Sequence, residues 1–364
     1  MCNQARILKL SFGTATGSQG RRDQTTKSVA EAHAHLPNVS AMSGVHFRMA
    51  ERTDLSALCA LINTANRADD IPQVLDLAEL TEDLDDAGDL TVDVQLAIIG
   101  SELVGYVRTL HFPSDELWER CYLIGAVDPQ HRGRGIGHDL MTWATNRGTD
   151  LLRSSTNDLP KYLRVEVSEH GAVARHLFHR FGFREVRQFE ELLRPLTELP
   201  PVNDLDGVRI VSWPDDRDTE ILEVKNVAFA DHWGSTPTPA HKWNTWVRGV
   251  GGYPEQSFIA LDETDRVVAY SLNQRYAADD ELLGRRDGWI DNLGTLPEWR
   301  GRGLASALIV RSLHAFAAAG LTHASIGVDS DSLTGAVRLY KSLGFAVNRR
   351  HDTLEIELPR ATDA

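Results

Sequence analysis

Two short stretches set basic side chains among glycines in a way that could hold a phosphate. They are Arg132-Gly133-Arg134-Gly135-Ile136-Gly137 and Arg300-Gly301-Arg302-Gly303-Leu304-Ala305. Glycine lets a backbone turn sharply and approach a ligand closely. A helix starting inside such a stretch presents unpartnered amides with partial positive charge, which suit an anion. No Gly-Lys-Ser/Thr follows either copy, so neither is a nucleotide-hydrolysing loop. Other residues could move protons. Tyr340 lies in Leu339-Tyr340-Lys341-Ser342-Leu343-Gly344-Phe345, and Asp291 interrupts the apolar run Trp289-Ile290-Asp291-Asn292-Leu293-Gly294. Burial raises a carboxylate's pKa toward base-like values, which would suit Asp291 to proton abstraction. The competing reading has it cap a strand bulge or pair with an arginine. Strand alternation puts Asn292 on the opposite face. A third group is the aromatic stretch 224–243, with His232, Trp233 and Trp243. Asn226, Phe229 and His232 line one wall if the preceding helix continues to Ala230; otherwise these aromatics are packing anchors.

Such residues work only if strands and helices place them, and the pattern supplies those elements twice. Residues 45–50 read as a strand, and Leu55, Leu58, Leu61 and Ile62 recur at helical spacing. Two apolar runs around Gly100-Ser101-Glu102 read as a hairpin. Cys121–Val127 is a further strand, followed after the first glycine stretch by a helix from Ile136. Strand, helix and strand then follow through Leu196. Residues 197–207 are Pro-rich and without period, and the same order restarts at Val208. A domain-sized repeat of one βαβ-containing unit explains why the glycine stretch recurs. The expected divisions are a disordered tail at 1–43, a first domain at 44–197, a linker at 198–207 and a second domain at 208–360. Met42 and Met49 are alternative starts, and the basic, acid-poor tail leaves an organelle-targeting peptide open.

The chain has 364 residues and a formal charge of −14. That balance argues against nucleic-acid binding, which needs a basic surface. It suits cationic partners, amines among them. Its three cysteines, Cys2, Cys59 and Cys121, are scattered and fit neither a disulfide framework nor a zinc site, so no metal is expected. No apolar run is long enough to span a membrane. The expected location is the cytoplasm.

Arg132-x-x-Gly135-x-Gly137 and Arg300-x-x-Gly303-x-Ala305 match the Arg/Gln-x-x-Gly-x-Gly/Ala signature of the GCN5-related N-acetyltransferases. Leu339 to Phe345 resembles the same family's Leu-Tyr-x-x-x-Gly-Phe helix end, and Leu177-Phe178-His179-Arg180-Phe181-Gly182-Phe183 repeats it with Phe for Tyr. The resemblance covers about 45–197 and 208–359. It implies an α/β chain of two tandem folds, each a mixed, splayed β-sheet flanked by helices. It implies acetyl- or another acyl-coenzyme A as cosubstrate. Leu293, Gly294, Thr295, Arg300, Gly301, Arg302, Gly303, Leu304, Ala305 and Ser332 would hold it. In the first copy the matching residues are Val127, Arg132, Gly133, Arg134, Gly135 and Gly137; that copy either binds coenzyme A or only buttresses the second. It further implies Tyr340 as proton donor to the leaving thiolate, an oxyanion donor on the fourth strand, and an acceptor wall near Asn226, Phe229, His232 and Trp233. An intact second copy after a degraded first is organised like the mycothiol synthases, but the loop after Ala230 differs too much to carry over their substrate.

The expected function is transfer of an acyl group, most simply acetyl, to a small-molecule amine by the second copy. The alternatives are a protein or peptide N-acetyltransferase, an enzyme using a longer or carrier-protein-bound acyl donor in natural-product biosynthesis, and a coenzyme A-binding protein without turnover. Oligomeric state is open.

Overall fold

The structure is a computed structural model that describes residues 44–86, 88–114, 117–331 and 335–360. The expected tail at 1–43 and the expected ligand contact Ser332 lie outside the described residues. In the first half of the chain come β1 (Val45–Met49), α1 (Leu55–Ala68), α2 (Leu77–Asp86), β2 (Val94–Ile99), β3 (Glu102–Phe112), β4 (Glu119–Val127), α3 (Ile136–Ser154), β5 (Lys161–Ser168), α4 (Ala172–Arg180) and β6 (Arg184–Pro195). The second half runs β7 (Val208–Ser212), α5 (Asp218–Ala228), α6 (Ala240–Arg248), β8 (Phe258–Asp262), β9 (Val267–Arg275), β10 (Asp287–Thr295), α7 (Leu304–Ala318), β11 (His323–Asp329), α8 (Ala336–Ser342) and β12 (Ala346–Glu357). The two halves repeat one order of these elements, α2 and α6 included.

The described residues pack as two compact units. The first comprises 44–71, 88–186 and 352–360; the second comprises 72–86 and 187–351. In the first unit β1 to β4 form an antiparallel run and β5 joins β4 in parallel, with the far end of β12 beside β5. In the second unit β7 to β10 are antiparallel, β11 is parallel to β10, and β6 runs antiparallel to β11. Strand β6 follows α4 in the chain, yet its residues from Arg187 onward belong to the second unit. Strand β12 follows α8, yet its residues from Asp352 onward belong to the first. Each half thus lends its last strand to the unit built mainly by the other.

Segment 72–86 crosses over as well. The Val74 N–H donates to Asp279 Oδ1 at 2.7 Å, and the Val250 N–H donates to the Glu82 carboxylate at 3.0 Å. The stretch Asn63–Asp76 reads as polar and bland, but Leu77, Leu80 and Leu84 behind it carry the helical spacing that makes α2.

In the first unit α3 lays Leu140, Met141, Ala144 and Leu152 on Val107, Cys121, Leu123 and Val165, and Leu354 of β12 seals the same cluster. The second unit has an apolar cluster built on α5 and α6, with Trp213, Ile221, Trp243 and Tyr270. Another is built on α7 and α8, with Ile309, Leu313, Phe316, Ile326 and Tyr340. Pairing of β10 with β11 runs only from Asp287↔His323 to Ile290↔Ile326, although β10 continues to Thr295 and β11 to Asp329. The two strands therefore fork, as the splayed-sheet expectation requires. Strands β4 and β5 fork in the same way after Tyr122↔Arg164.

Candidate active site

Both glycine stretches sit at the fork of their unit, between a strand end and a helix start. Gly133 and Gly135 have φ of 76° and 88°; Gly301 and Gly303 have 76° and 86°. An L side chain rarely adopts these values, so each position requires glycine. Gly135 and Gly303 are the N-caps of α3 and α7, whose first-turn amides have no partner within the helix. A Cβ on Gly133 or Gly301 would meet no protein atom within 4 Å, so the space over the loop is open. Of the arginines that open the motif, Arg132 has a nearly buried guanidinium and Arg300 a partly exposed one, and each pairs with an acid of its own unit. Arg132 pairs with Asp69 at 2.8 Å and donates to the Val127 carbonyl. Arg300 pairs with Asp231 at 2.6 Å and donates to the carbonyls of Ala228 and Thr295. Both therefore tie their loop to the end of the unit's first helix. The hydrogen bond from Arg300 holds the Asp231 carboxyl below the usual range. Arg134 and Arg302 remain exposed.

The units differ beside the loops. Strand β10 slips register against β9 between Ile290 and Asn292, which makes Asp291 the extra residue of a β-bulge. Strand β4 pairs with β3 from Gly105↔Val127 to Phe112↔Arg120 without a break. The bulge overturns the expectation that Asn292 faces away from Asp291. Asn292 Oδ1 accepts the Tyr270 hydroxyl, and Asp291 Oδ2 accepts the Trp246 indole N–H at 2.6 Å. Trp243 meets both aromatic partners, its ring lying 6.1 Å from Tyr270 and 5.7 Å from Trp246. An extra residue interrupts alternation, so the carboxylate and the amide turn toward one aromatic cluster. Complete burial, and then the Asp291 charge, push the Tyr270 phenol up. Gly294 passes directly over Tyr270, where a Cβ would lie 2.4 Å from the ring.

Tyr340 and Phe178 occupy matching places. Each is buried, and each carbonyl accepts the N–H of the phenylalanine that follows the helix, at 3.1 Å. The rings pack on Phe345 and Phe183 at 6.3 and 6.1 Å. Tyr340 shares its cluster with Ile290 and Val328, which flank the β10–β11 fork.

In the second unit α5 stops at Ala228, before the expected Ala230. Asn226 then closes the loop that follows, accepting the Thr238 N–H at 2.9 Å and donating to the Thr238 carbonyl. Phe229 and His232 stay together, with ring centroids 5.4 Å apart. Trp233 lies against Phe189 of β6 at 6.2 Å, and the Arg187 guanidinium sits 5.5 Å from its ring. Arg187 also pairs at 2.8 Å with Asp329, which is buried at the end of β11. His232 Nδ1 is 3.1 Å from the Trp233 carbonyl, and burial lowers the imidazole pKa.

Residues 219–345 match the acetyltransferase (GNAT) family, and residues 93–185 match the acetyltransferase (GNAT) domain. A mycothiol acetyltransferase of Frankia alni is 28% identical over 317 residues, covering 78% of this chain and 90% of that protein. A mycothiol acetyltransferase of Streptomyces coelicolor is 30% identical over 311 residues, covering 82% of this chain and 89% of that protein. Among solved structures, a GCN5-related N-acetyltransferase from Sphaerobacter thermophilus has a TM-score of 0.68 at 24% identity, over 86% of this chain and 96% of that one. The chain belongs to the GNAT acetyltransferase family. It is an acyltransferase with two GNAT units in tandem, and GNAT acetyltransferases use acetyl-coenzyme A.

Within the second GNAT unit, Leu293, Gly294 and Thr295 lie on the free arm of the fork, and Arg300 to Ala305 form the loop beside it. The bulge at Asp291 lies on that same arm. Arg187, Asp329, Trp246 and Tyr270 escape a reading of the sequence. Trp246 could have been found, because Trp243, Trp246 and Val247 mark one helix face. Arg187 could not, because nothing in the repeat announces that β6 changes partners. Among the described residues no helix is long and apolar enough to cross a membrane, and no cluster of three His, Cys, Asp or Glu could hold a metal ion.

Proposed function

We propose that the second GNAT unit transfers an acetyl group from acetyl-coenzyme A to the amine of a small molecule. The observation that carries this reading is the β10 bulge at Asp291, beside a glycine loop and a fork, with no counterpart in β4. A bulge leaves backbone N–H groups outside the ladder, and such a group can donate to the oxyanion of a tetrahedral intermediate. The amides at the start of α7 would take the pyrophosphate, with Arg302 beside it. Tyr340 would give a proton to the leaving thiolate; Phe178 cannot. The first loop keeps the same backbone, so we assign it coenzyme A binding without turnover.

The acidic balance of the chain and the closed aromatic loop at 229–239 favour a small cationic acceptor over a protein tail. Mycothiol acetyltransferases are relatives, so the acceptor of those enzymes is included in the panel. The test is release of free thiol from acetyl-, malonyl- and long-chain acyl-coenzyme A with a panel of amines and peptides. Turnover with a small amine supports the reading. Turnover only with peptides, or only with a long-chain donor, overturns it.

A further inference from the structure

His232 is held in one tautomer. Its Nδ1 faces the Trp233 carbonyl, and a carbonyl only accepts, so Nδ1 carries the hydrogen and Nε2 keeps the lone pair. Phe229 packs against the ring. Trp233, whose carbonyl sets the tautomer, is fixed by Phe189 and Arg187 of the exchanged strand, and Arg187 is anchored on Asp329. Asp329 lies past Ile326, the last residue of β11 paired with β10. The imidazole is thus tied to the mouth of the fork. Asp291, the other candidate for proton transfer, already accepts the Trp246 indole N–H. That hydrogen bond occupies one oxygen of the carboxylate and ties it to the aromatic cluster.

We propose that His232 is the general base of this enzyme, its Nε2 taking a proton from the acceptor's ammonium group. The proposal rests on the reading given under Proposed function. An alkyl ammonium has a pKa near ~10.4, so about one acceptor in ~2,500 is neutral at pH 7 without help. Nε2 removes one proton and leaves a neutral amine. The amine nitrogen bonds to the thioester carbon, and the C–S bond breaks with its electron pair going to sulfur. One proton reaches the sulfur from the Tyr340 phenol. The nitrogen sheds its surplus proton as the amide forms, and this restores the phenol. His232 passes the first proton to solvent, which its half-buried ring still reaches.

The charged groups near the ring and their partners come from five places in the chain. Asp329 of β11 is paired with Arg187 of β6, and Asp231 of the same loop is paired with Arg300 before α7. Lys225 of α5 stands over the Phe229 ring at 5.9 Å. With both acids paired, burial dominates and holds the imidazole below the usual histidine range. His232 is then neutral at and somewhat below pH 7, the state a base needs.

The test is kcat/KM for the acceptor from about pH 5 to about pH 10, in wild type, His232→Gln and Asp291→Asn. The proposal expects His232→Gln to lose about 10²-fold at neutral pH. The loss should narrow as the solution itself deprotonates the amine, with KM for acetyl-coenzyme A unchanged. Added imidazole should restore His232→Gly in proportion to its free-base concentration, and Asp291→Asn should show a loss that does not vary with pH. A His232→Gln loss equal at every pH, with no imidazole rescue, overturns the proposal and leaves the acetyltransfer reading intact. So does a pH-dependent loss confined to Asp291→Asn. Wild-type enzyme that releases no thiol with any amine overturns the underlying reading, and this proposal with it.

Discussion

Tyr340 and Phe178 pose the sharpest comparison between single residues. They share helix position, burial and a phenylalanine neighbour, and differ by one oxygen. Tyr340→Phe should therefore leave acetyl-coenzyme A affinity nearly constant while turnover falls. General-acid assistance is worth ~10²–10⁴. A thiol of pKa near ~8.5 is a tolerable leaving group unaided, so the lower end is expected. Steady-state rates at saturating donor decide it, and an unimpaired variant removes Tyr340 from the mechanism. Phe178→Tyr should add no activity, since β4 lacks the bulge. Gly303→Glu should abolish coenzyme A binding to the second unit, because it places a side chain and a negative charge on the loop at a φ of 86°. Calorimetry should lose one of two sites; unchanged stoichiometry and affinity would count against the loop assignment. At this scale the sequence was informative for the glycines, whose positive φ the loops require; the role given to Tyr340 came from the family resemblance and stands as a proposal. The sequence offered Arg132 and Arg300 as coenzyme A contacts, while their ion pairs with Asp69 and Asp231 were not readable, because they depend on which acid the fold brings near.

Among elements, the decisive one is β10. Removing Asp291 altogether should give this strand the uninterrupted pairing that β4 has. The pairings Ile290↔Asn273 and Asn292↔Leu272 on either side keep their register, so the neighbouring side chains keep their faces and the protein should stay folded. The expected result is a folded protein that binds coenzyme A and turns over at least ~10²-fold more slowly, the scale of one lost oxyanion donor. Asp291→Asn keeps the bulge and serves as the comparison. Equal activity in the two variants would tie the effect to the carboxylate and not to the backbone. The strand itself was readable from its apolar run, and so was the presence of an acid in it. A bulge at Asp291 was readable only as the competing alternative, because alternation is the first rule a lone strand sequence offers and the irregularity exists only against β9. Helix α5 was read two residues too long for a similar reason. Its end is set by Asn226 reaching forward to Thr238, a contact that the local pattern does not announce.

For the whole molecule, the exchange of β6 and β12 means that neither half of the sequence is self-sufficient. Arg187 lies outside the stretch 219–345 that matches the acetyltransferase family, yet it neutralises Asp329 in the second unit. Arg187→Ala leaves that carboxylate, 2% exposed, without its cation. The expected cost is about 3 kcal/mol, seen as a lower urea midpoint, together with a raised KM for the acceptor and an unchanged KM for acetyl-coenzyme A. A variant as stable as wild type, with an unaltered acceptor KM, would show that Trp233 does not depend on the exchanged strand. The duplication itself was legible, because two motifs recur at matching distances. Partner choice between copies was not, since β6 and β12 follow equivalent helices and either could return to its own sheet without any change in hydrophobic pattern.

The strand exchange also bears on how such a chain can change over generations. A duplicated copy that has lost its chemistry is ordinarily free to be deleted. Here deletion of the first copy would take Arg187 and Phe189 out of the second, and with them the support of Trp233. On the function proposed above, the phenylalanine at 178 and the unbulged β4 would reflect relaxed selection for turnover in the first copy, while its last strand would stay under selection for the other's fold. Lineages descending from this arrangement should therefore shed residues from the first glycine loop long before they shed β6. A shortened descendant could survive only by first returning each strand to its own sheet.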